Sequence, residues 1–229
     1  MLIFAHRGRH GGGVGENTLA AFRAAAALGL GVETDVRLDR GGVPYLFHDR
    51  RIRGVAVAGL SLAELREAAG FAVPRLDEAL EACPDVFWNL EIKEDAVVAP
   101  LCARLRRFSG RVLVSSFLHD AVAACARQAG VAGGLLLSHR PLRPQALLTG
   151  AGDGISTLIW HFATADAASL RRAAEAGATN WIYGFDAPED HASVPAGLAA
   201  AVITDFPGEI AKPGGRTPGA QNPGANDGD

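Results

Sequence analysis

Short apolar segments alternate with segments rich in Ala, Leu and Arg along most of this 229-residue chain. The apolar segments have the length of buried strands, and the Ala-rich segments have the period of amphipathic helices. This alternation is typical of repeated βα units that build a parallel sheet. It predicts strands near residues 2–6, 31–36, 43–48, 86–92, 111–116, 132–137, 154–159, 179–183 and 200–204. It predicts helices near residues 18–29, 61–69, 76–82, 95–108, 118–130, 142–149, 165–176 and 207–211.

The third predicted strand follows the second after the turn-forming sequence Asp39–Gly42. These two strands can therefore form a hairpin-like extension rather than a further βα unit, and eight strands remain. Eight βα units predict a compact TIM (β/α)8 barrel. An open doubly wound sheet is the alternative, but the glycine fingerprint that such a sheet needs after its first strand is absent.

The composition argues against several classes of protein. The chain has 22 Lys and Arg against 25 Asp and Glu, and its cationic residues form no stripe of the kind that binds nucleic acid. The cysteines (Cys83, Cys102 and Cys125) lack CxxC spacing and are predicted to be buried free thiols of a reducing compartment. No secretory leader pattern precedes the first strand, and charges or glycines interrupt every apolar stretch. We expect a cytoplasmic protein without stable membrane association.

The composition changes near the carboxyl end. From Lys212 to Asp229 the chain is rich in Pro, Gly, Asn and Asp and has no large apolar residue. Such a segment buries too little surface to offset the entropy of ordering it. We therefore expect one barrel domain over residues 1–211 and a disordered tail over residues 212–229.

Charged side chains recur with a period of two inside two of the apolar segments. Glu33 and Asp35 lie in one, and Glu91 and Lys93 lie in the other. A period of two places both members of a pair on the same face of a strand. A buried charge costs several kcal/mol unless it pairs or binds a cation, so such charges indicate a functional site.

Glu33, Asp35 and Glu91 are the candidate ligands of one divalent cation. They fall at the carboxyl ends of two strands, where the active sites of TIM barrels lie. Three oxygen ligands without an accompanying cysteine favour Mg²⁺ or Ca²⁺ over zinc. The alternative is a structural network of ion pairs with Arg37 or Lys93.

Two histidines complete the candidate site. His6 and His48 each end a strand, so both are expected to face the same mouth of the barrel. Together with Arg7, Lys93 and the carboxylates, they form the set that acid-base phosphoryl chemistry requires. The other histidines are predicted to be surface or helix-end residues, namely His10, His119, His139, His161 and His191.

The remaining predictions concern one loop and two tryptophans. The glycine-rich run at residues 8–15 does not have the spacing of a phosphate-binding loop and is predicted to be a flexible βα loop. Trp88 is predicted to pack outward against helices. Trp181 lies in a late strand and has two equal interpretations, a buried packing residue or an aromatic wall of the pocket.

The order of several short motifs resembles the glycerophosphodiester phosphodiesterase family over most of the predicted barrel. These motifs are Ala5–Gly8, Gly15–Phe22, Val32–Val36, Gly42–Asp49, Asn89–Lys93, Ser116–Phe117 and Ile203–Pro207. The resemblance implies a TIM barrel that hydrolyses glycerophosphodiesters to glycerol 3-phosphate and an alcohol with one divalent cation, Mg²⁺ or Ca²⁺. The expected partner is thus a small-molecule phosphodiester, not a nucleic acid.

The resemblance also implies roles for individual residues. His6 and His48 match the acid-base pair, and Arg7 and Lys93 match the cations that bind the phosphate. Glu33, Asp35 and Glu91 match the metal ligands, and Glu16 matches a motif glutamate that supports the site from behind. The nucleophile can be water or the neighbouring glycerol hydroxyl, through a cyclic phosphate, and either histidine can be the base.

The chain departs from the family pattern at two places that bear on substrate choice. The segment between Asp49 and Ser61 is short and lacks an Arg-Thr-x-Gly pattern, and Trp181–Tyr183 replaces a Trp-Thr-Val-Asn run. One alternative function is a phospholipase D-like hydrolysis of lysolipids, for which Gly54–Gly59 is the one candidate membrane-facing loop. Another is a non-catalytic ligand-binding barrel, which the complete polar set disfavours.

Overall fold

Eight parallel strands close into a barrel in the structure, a computed structural model that describes residues 1–210. The first strand pairs with both the second strand and the last, which closes the sheet and excludes the open doubly wound alternative. The TIM-barrel prediction is confirmed. The strands are β1 (Leu2–His6), β2 (Gly31–Leu38), β3 (Pro44–Leu46), β4 (Arg51–Ile52), β5 (Val55–Ala56), β6 (Trp88–Ile92), β7 (Val112–Ser116), β8 (Ala132–Leu137), β9 (Ile155–His161), β10 (Thr179–Tyr183) and β11 (Ala201–Thr204).

Three short strands lie outside the barrel. β3 pairs antiparallel with β2, with Val36 opposite Leu46, as the turn chemistry before it predicts. The backbone N–H of Phe47 then donates to the carbonyl of Asp35 at 3.1 Å, which brings the residue after it, His48, back beside the end of β2. β4 and β5 form a separate hairpin that the sequence pattern did not predict.

Seven helices are present in residues 1–210: α1 (Leu19–Ala26), α2 (Leu62–Ala69), α3 (Leu76–Ala82), α4 (Val98–Leu105), α5 (His119–Ala129), α6 (Pro144–Ala151) and α7 (Ala167–Glu175). The helix predicted near 207–211 is wrong over its described part, because residues 207–210 form a turn in which Pro207 and Gly208 disfavour helix. Short 3₁₀ segments lie at Val57–Gly59, Asp95–Val97, Phe162–Thr164 and Pro188–Ser193. The tail predicted at residues 212–229 lies outside the described residues.

Capping chemistry marks the start of α1 and both ends of α2. The side chain of Thr18 accepts a hydrogen bond from the Ala21 N–H at 3.2 Å, which caps α1. Ser61 and Glu64 form a reciprocal capping box on α2, and Gly70 ends that helix in the left-handed conformation. These local signals set the bounds of the two helices.

The apolar core has two parts. One lies between the barrel wall and the helices, and there Trp88 packs edge-on against Phe22 at 5.3 Å between ring centroids, as predicted. The other fills the amino-terminal half of the barrel interior, where Phe4, Phe87 and Trp181 pack together. The interior is therefore apolar below and leaves only its upper half to polar groups.

All three cysteines are free and buried, which confirms their predicted state. Within residues 1–210, none of the helices combines the length and the apolar character needed to cross a bilayer.

We predict that Gly31→Ala destabilises the barrel. A Cβ at Gly31 would lie 2.5 Å from the ring of Phe4, which Trp181 and Phe87 hold in place. Overpacking of this kind costs about 1–3 kcal/mol in the free energy of unfolding, measurable by urea titration. Gly150→Ala is the control: it lies in exposed α6 with open space around its Cβ position, and should gain about 0.5–1 kcal/mol. Equal effects of the two substitutions would contradict this account of the interior.

Candidate functional site

Three carboxylates converge at the carboxyl ends of β2 and β6. These strands are neighbours, with Asp35 opposite Glu91 in their register. Oxygen atoms of Glu33, Asp35 and Glu91 all lie within 4.8 Å of one another, and Glu33 and Asp35 are buried. The period-two spacing on the two strands thus brings the three predicted ligands to one point.

Burial and mutual repulsion shift the pKa values of these carboxyls in different directions. Burial, reinforced by the charge of Asp35, raises the pKa of Glu33 to about 8. Burial also raises the pKa of Glu91, although Lys93 opposes the shift. For Asp35, burial is outweighed by Lys93 and by a hydrogen bond from Asn17, so its pKa is lowered. Burial and mutual repulsion disfavour three ionised carboxyls at one point, and a cation bound among them would offset both effects.

Lys93 and Arg7 both contact this cluster. Lys93 Nζ lies 2.7 Å from Glu91 Oε1 and 3.1 Å from Asp35 Oδ1. Arg7 Nε lies 3.5 Å from Asp35 Oδ2, and its Nη1 donates to Glu16 at 2.9 Å, so Glu16 holds Arg7 from behind. The ion-pair alternative of the sequence analysis is therefore present for Lys93. Arg37 instead donates to the carbonyl of His48 at 2.7 Å and supports that residue's backbone.

In the turn after β1, both the backbone and the side chain of Arg7 contact the carboxylates. Arg7 has a φ of 54° and Gly8 a φ of 82°, and the Arg7 N–H donates to Glu33 Oε2 at 3.2 Å. A Cβ at Gly8 would lie 2.8 Å from the Cβ of Ala21. Only glycine therefore fits the tight contact between this turn and α1.

His6 and His48 line the same cavity, as their positions at strand ends predict. His6 Nδ1 lies 2.8 Å from Asp205 Oδ1, and its Nε2 lies 3.9 Å from Glu33 Oε2. His48 Nδ1 lies 2.8 Å from Asp49 Oδ1. Because a carboxylate engages Nδ1 in each ring, Nε2 is the nitrogen left for chemistry in both.

Sequence reasoning missed Asp205, which lines the cavity, and its contact with His10. His10 Nε2 lies 3.0 Å from the same Asp205 oxygen that engages His6, and the His10 side chain is partly exposed, as its predicted surface position implies. Burial alone would raise the pKa of Asp205, but the two histidines outweigh it and lower the pKa to about 2. The signal that could have found Asp205 is its place directly after β11, at the same barrel end as the other candidates.

Asn17 is a second missed residue. It is buried, its amide donates to Asp35 Oδ2 at 2.9 Å, and its carbonyl oxygen accepts from the Thr34 hydroxyl at 2.6 Å. It thereby fixes the orientation of the Asp35 carboxylate from the side opposite Lys93. Its φ of 50° is a left-handed conformation that asparagine tolerates better than most residues.

A cavity of about 260 Å³ with two unlike walls lies at this end of the barrel. The charged wall carries His6, His48, Arg7, Lys93, Glu33, Glu91 and Asp205. The other wall is apolar and aromatic, with Phe117, Leu136, Tyr183, Phe185 and Ile203. Tyr183 packs edge-on against both Phe117 and His161, so His161 lies beside the mouth and not on a remote surface.

The model of the glycerophosphoryl diester phosphodiesterase family matches residues 6–209 of the chain, which include every residue of this cavity. The chain belongs to this family. A Mycobacterium tuberculosis protein named "Probable glycerophosphodiester phosphodiesterase 2" is 37% identical over 127 residues, 51% of the chain. That match spans 48% of the relative, so the chain covers about half of its length.

Solved structures agree on the architecture. A phosphodiesterase from Oleispira antarctica, in complex with the product sn-glycerol-3-phosphate, has a TM-score of 0.82 and 25% identity, over 92% of this chain and 95% of that one. A glycerophosphodiester phosphodiesterase from Parabacteroides distasonis has a TM-score of 0.79 and 21% identity, over 91% and 94%. Both chains are matched by the barrel nearly end to end.

Trp181 lies below the cavity and is not part of its wall. It is 4% exposed, stacks on Phe4 with 4.6 Å between ring centroids, and lies in the apolar lower interior. Tyr183, two residues later on the same face of β10, lines the cavity instead. Of the two interpretations of Trp181, the packing one describes its position.

We predict that the His6–Asp205 pair stabilises the fold in a defined pH window. Burial lowers the pKa of His6, but the hydrogen bond to Asp205 and the charge of Glu33 raise it above 6.5 overall. The pair is fully charged above the unfolded Asp pKa and below the unfolded His pKa, between about pH 4 and 6.5. Its contribution is lost as pH rises through the folded pKa of His6, and as pH falls toward 2 through that of Asp205.

Asp205→Asn should therefore lower the free energy of unfolding of chelator-treated protein more at about pH 5.5 than at about pH 9. The difference should be at most about 1 kcal/mol, since solvent screens side chains that are 31% and 39% exposed. Asp153→Asn, an exposed carboxylate at the opposite end of the barrel, is the control for urea unfolding at both pH values. A loss that is equal at both pH values would contradict the ion pair.

Proposed function

We propose that this chain is a metal-dependent glycerophosphodiester phosphodiesterase that yields glycerol 3-phosphate and an alcohol. The observation that carries the proposal is the convergence at one cavity of three carboxylates, two of them buried, with two cations and two histidines that carboxylates hold. Family membership supports it, as does the product bound to the relative from Oleispira antarctica. We place the reaction in the cytoplasm, which the three buried free thiols support.

The donor set fits a hard divalent cation. Glu33, Asp35 and Glu91 would hold it, and their oxygens suit Mg²⁺ or Ca²⁺. Burial raises the pKa values of Glu33 and Glu91, and a cation held among the carboxyls would favour their charged forms. When bound, the cation would neutralise charge on a phosphate oxygen.

Arg7 and Lys93 bind the remaining phosphate oxygens in this proposal. Both line the cavity, and both are held at defined positions, Arg7 by Glu16 and Lys93 by Glu91 and Asp35. Fixed cations stabilise the charge that develops on the phosphoryl group without having to reorganise. Asn17 and Glu16 act one step behind them, by holding Asp35 and Arg7.

His6 and His48 exchange the protons. One imidazole accepts, through Nε2, the proton of the attacking group, which is water or the neighbouring glycerol hydroxyl. The other imidazole donates a proton to the oxygen of the departing alcohol. Asp205 and Asp49 engage the Nδ1 atoms and so hold each ring in one orientation. Asp205 is therefore a positioning residue for His6, and Asp49 is one for His48.

We predict that the carboxylates bind the cation outside turnover as well. Mg²⁺ or Ca²⁺ added to chelator-treated protein should raise Tm, because an ion that binds only the native state stabilises it. Glu91→Gln should abolish that rise, while Glu175→Gln, an exposed carboxylate on α7, should leave it unchanged. An undiminished rise in Glu91→Gln would place the cation elsewhere.

We predict that His6→Ala and His48→Ala each lower kcat by roughly 10²–10⁴-fold, the range for losing general acid-base catalysis. A phosphodiester with a nitrophenyl leaving group needs little protonation, so it should rescue the variant that lost the donor and not the other. The rescued variant identifies the acid. His139→Ala is the matched control, an exposed histidine outside the cavity, and should behave as wild type. Equal rescue of both variants, or wild-type turnover in either, would refute the two-histidine division.

A further inference from the structure

The floor of the cavity contains two buried polar side chains without hydrogen-bond partners. Asn89 on β6 and Ser115 on β7 are both 0% exposed and both line the cavity. Neither Oδ1 nor Nδ2 of Asn89, nor Oγ of Ser115, has a partner within residues 1–210. A buried polar group left unpaired costs about 1–3 kcal/mol, so a pair of them at one place indicates a ligand that completes their hydrogen bonds.

The two side chains lie where the charged cluster meets the apolar lower interior. In the strand registers, Asn89 lies opposite Glu33, and Ser115 lies opposite Glu91. Two residues earlier along the chain, Phe87 and Leu113 pack in the apolar lower interior. Asn89 and Ser115 are therefore the first polar residues of β6 and β7 above the apolar packing, and they lie beside the charged cluster.

The chemistry of this floor differs from that of the charged wall above it. An amide and a hydroxyl each donate and accept hydrogen bonds, and neither carries a charge. They suit a neutral hydroxyl group, which also donates and accepts hydrogen bonds. A phosphate is better suited to the cations Arg7 and Lys93. Two such side chains on adjacent strands match two neighbouring hydroxyls of a polyol.

The opposite end of the cavity is apolar and open. Phe117 is 47% exposed, and Tyr183 packs against it at the rim. A polyol arm gains hydrogen bonds at the floor, whereas the second arm of a phosphodiester meets aromatic faces and solvent at the rim. The two ends therefore impose a direction on an asymmetric diester.

We propose that Asn89 and Ser115 are specificity residues that bind the two free hydroxyls of the glycerol arm. The substrate then enters with its polyol first, and the alcohol to be released lies at the rim beside Phe117. This inference rests on the proposed phosphodiesterase function and adds to it which residues recognise glycerol and which arm lies inside.

The test compares two substrates with the same leaving group, glyceryl 4-nitrophenyl phosphate and propyl 4-nitrophenyl phosphate. The quantity measured is the ratio of their kcat/KM values, which a general loss of activity does not change. Wild type should prefer the glyceryl ester, because a site built to bind hydroxyls rejects an analogue without them. Asn89→Leu combined with Ser115→Ala should reduce the ratio by roughly 10- to 100-fold. Ser138→Ala, an exposed serine outside the cavity, should keep the wild-type ratio.

The same substitutions also change Tm in a direction that distinguishes ligand binding from a purely structural role, because loss of a structural role would lower Tm. Replacing an unpaired buried amide by an apolar side chain of similar volume removes a desolvation cost, so Asn89→Leu should keep or raise Tm. A wild-type ratio in the double variant would mean that the floor holds water only, and would overturn the inference. A ratio near one in wild type would do so as well.

A binding measurement separates this inference from the proposed function. Calorimetry with glycerol 3-phosphate and propyl phosphate needs no turnover, and the double variant should lose roughly 10-fold or more of the wild-type preference for the first. Wild type that cleaves neither ester would refute the proposed function, and the calorimetric preference would then decide on the hydroxyl floor alone. Equal binding of the two monoesters by wild type would overturn the floor.

Discussion

The convergence of three carboxylates on β2 and β6, two of them buried, is the constraint on which the rest of the site depends. Like charges within 4.8 Å of one another, and largely removed from water, cannot all ionise without positive charge nearby. The structure surrounds them with Lys93, Arg7 and the amide of Asn17. Lys93 and Arg7 are also groups that a phosphodiester anion would contact. The positive charge that stabilises the carboxylates therefore also favours the binding of an anionic substrate.

The barrel confines the charged cluster to one half of its interior. Phe4, Phe87 and Trp181 fill the lower interior, so the polar groups are confined to the upper half, at the end where the active sites of TIM barrels lie. Gly31 and Gly8 leave room for the bulky neighbours that this arrangement requires. The close apolar packing beneath the site therefore leaves the upper half of the interior to the polar side chains.

The sequence predicted the strands, the closed barrel and the three converging carboxylates, because period-two spacing and strand ends are local properties of the chain. It did not predict that Asp205 joins His6 to His10, since these residues are nearly two hundred positions apart and meet only when β11 pairs with β1. The sequence leaves two interpretations of Trp181 because both face the barrel interior, and only height along the strand separates packing from pocket wall. The helix predicted near 207–211 is wrong over residues 207–210, where Pro207 and Gly208 favour the observed turn.

The most direct test of the central claim is to follow sn-glycero-3-phosphocholine by ³¹P NMR in the presence of the pure protein, with Mg²⁺ or Ca²⁺ and again after chelation. We expect the diester signal to be replaced by that of glycerol 3-phosphate only when the divalent cation is present. Release of phosphocholine would show that the other ester bond is cleaved. No phosphomonoester at all, or the same rate in chelated protein, would contradict the claim that this charged cavity is a metal-dependent phosphodiesterase site.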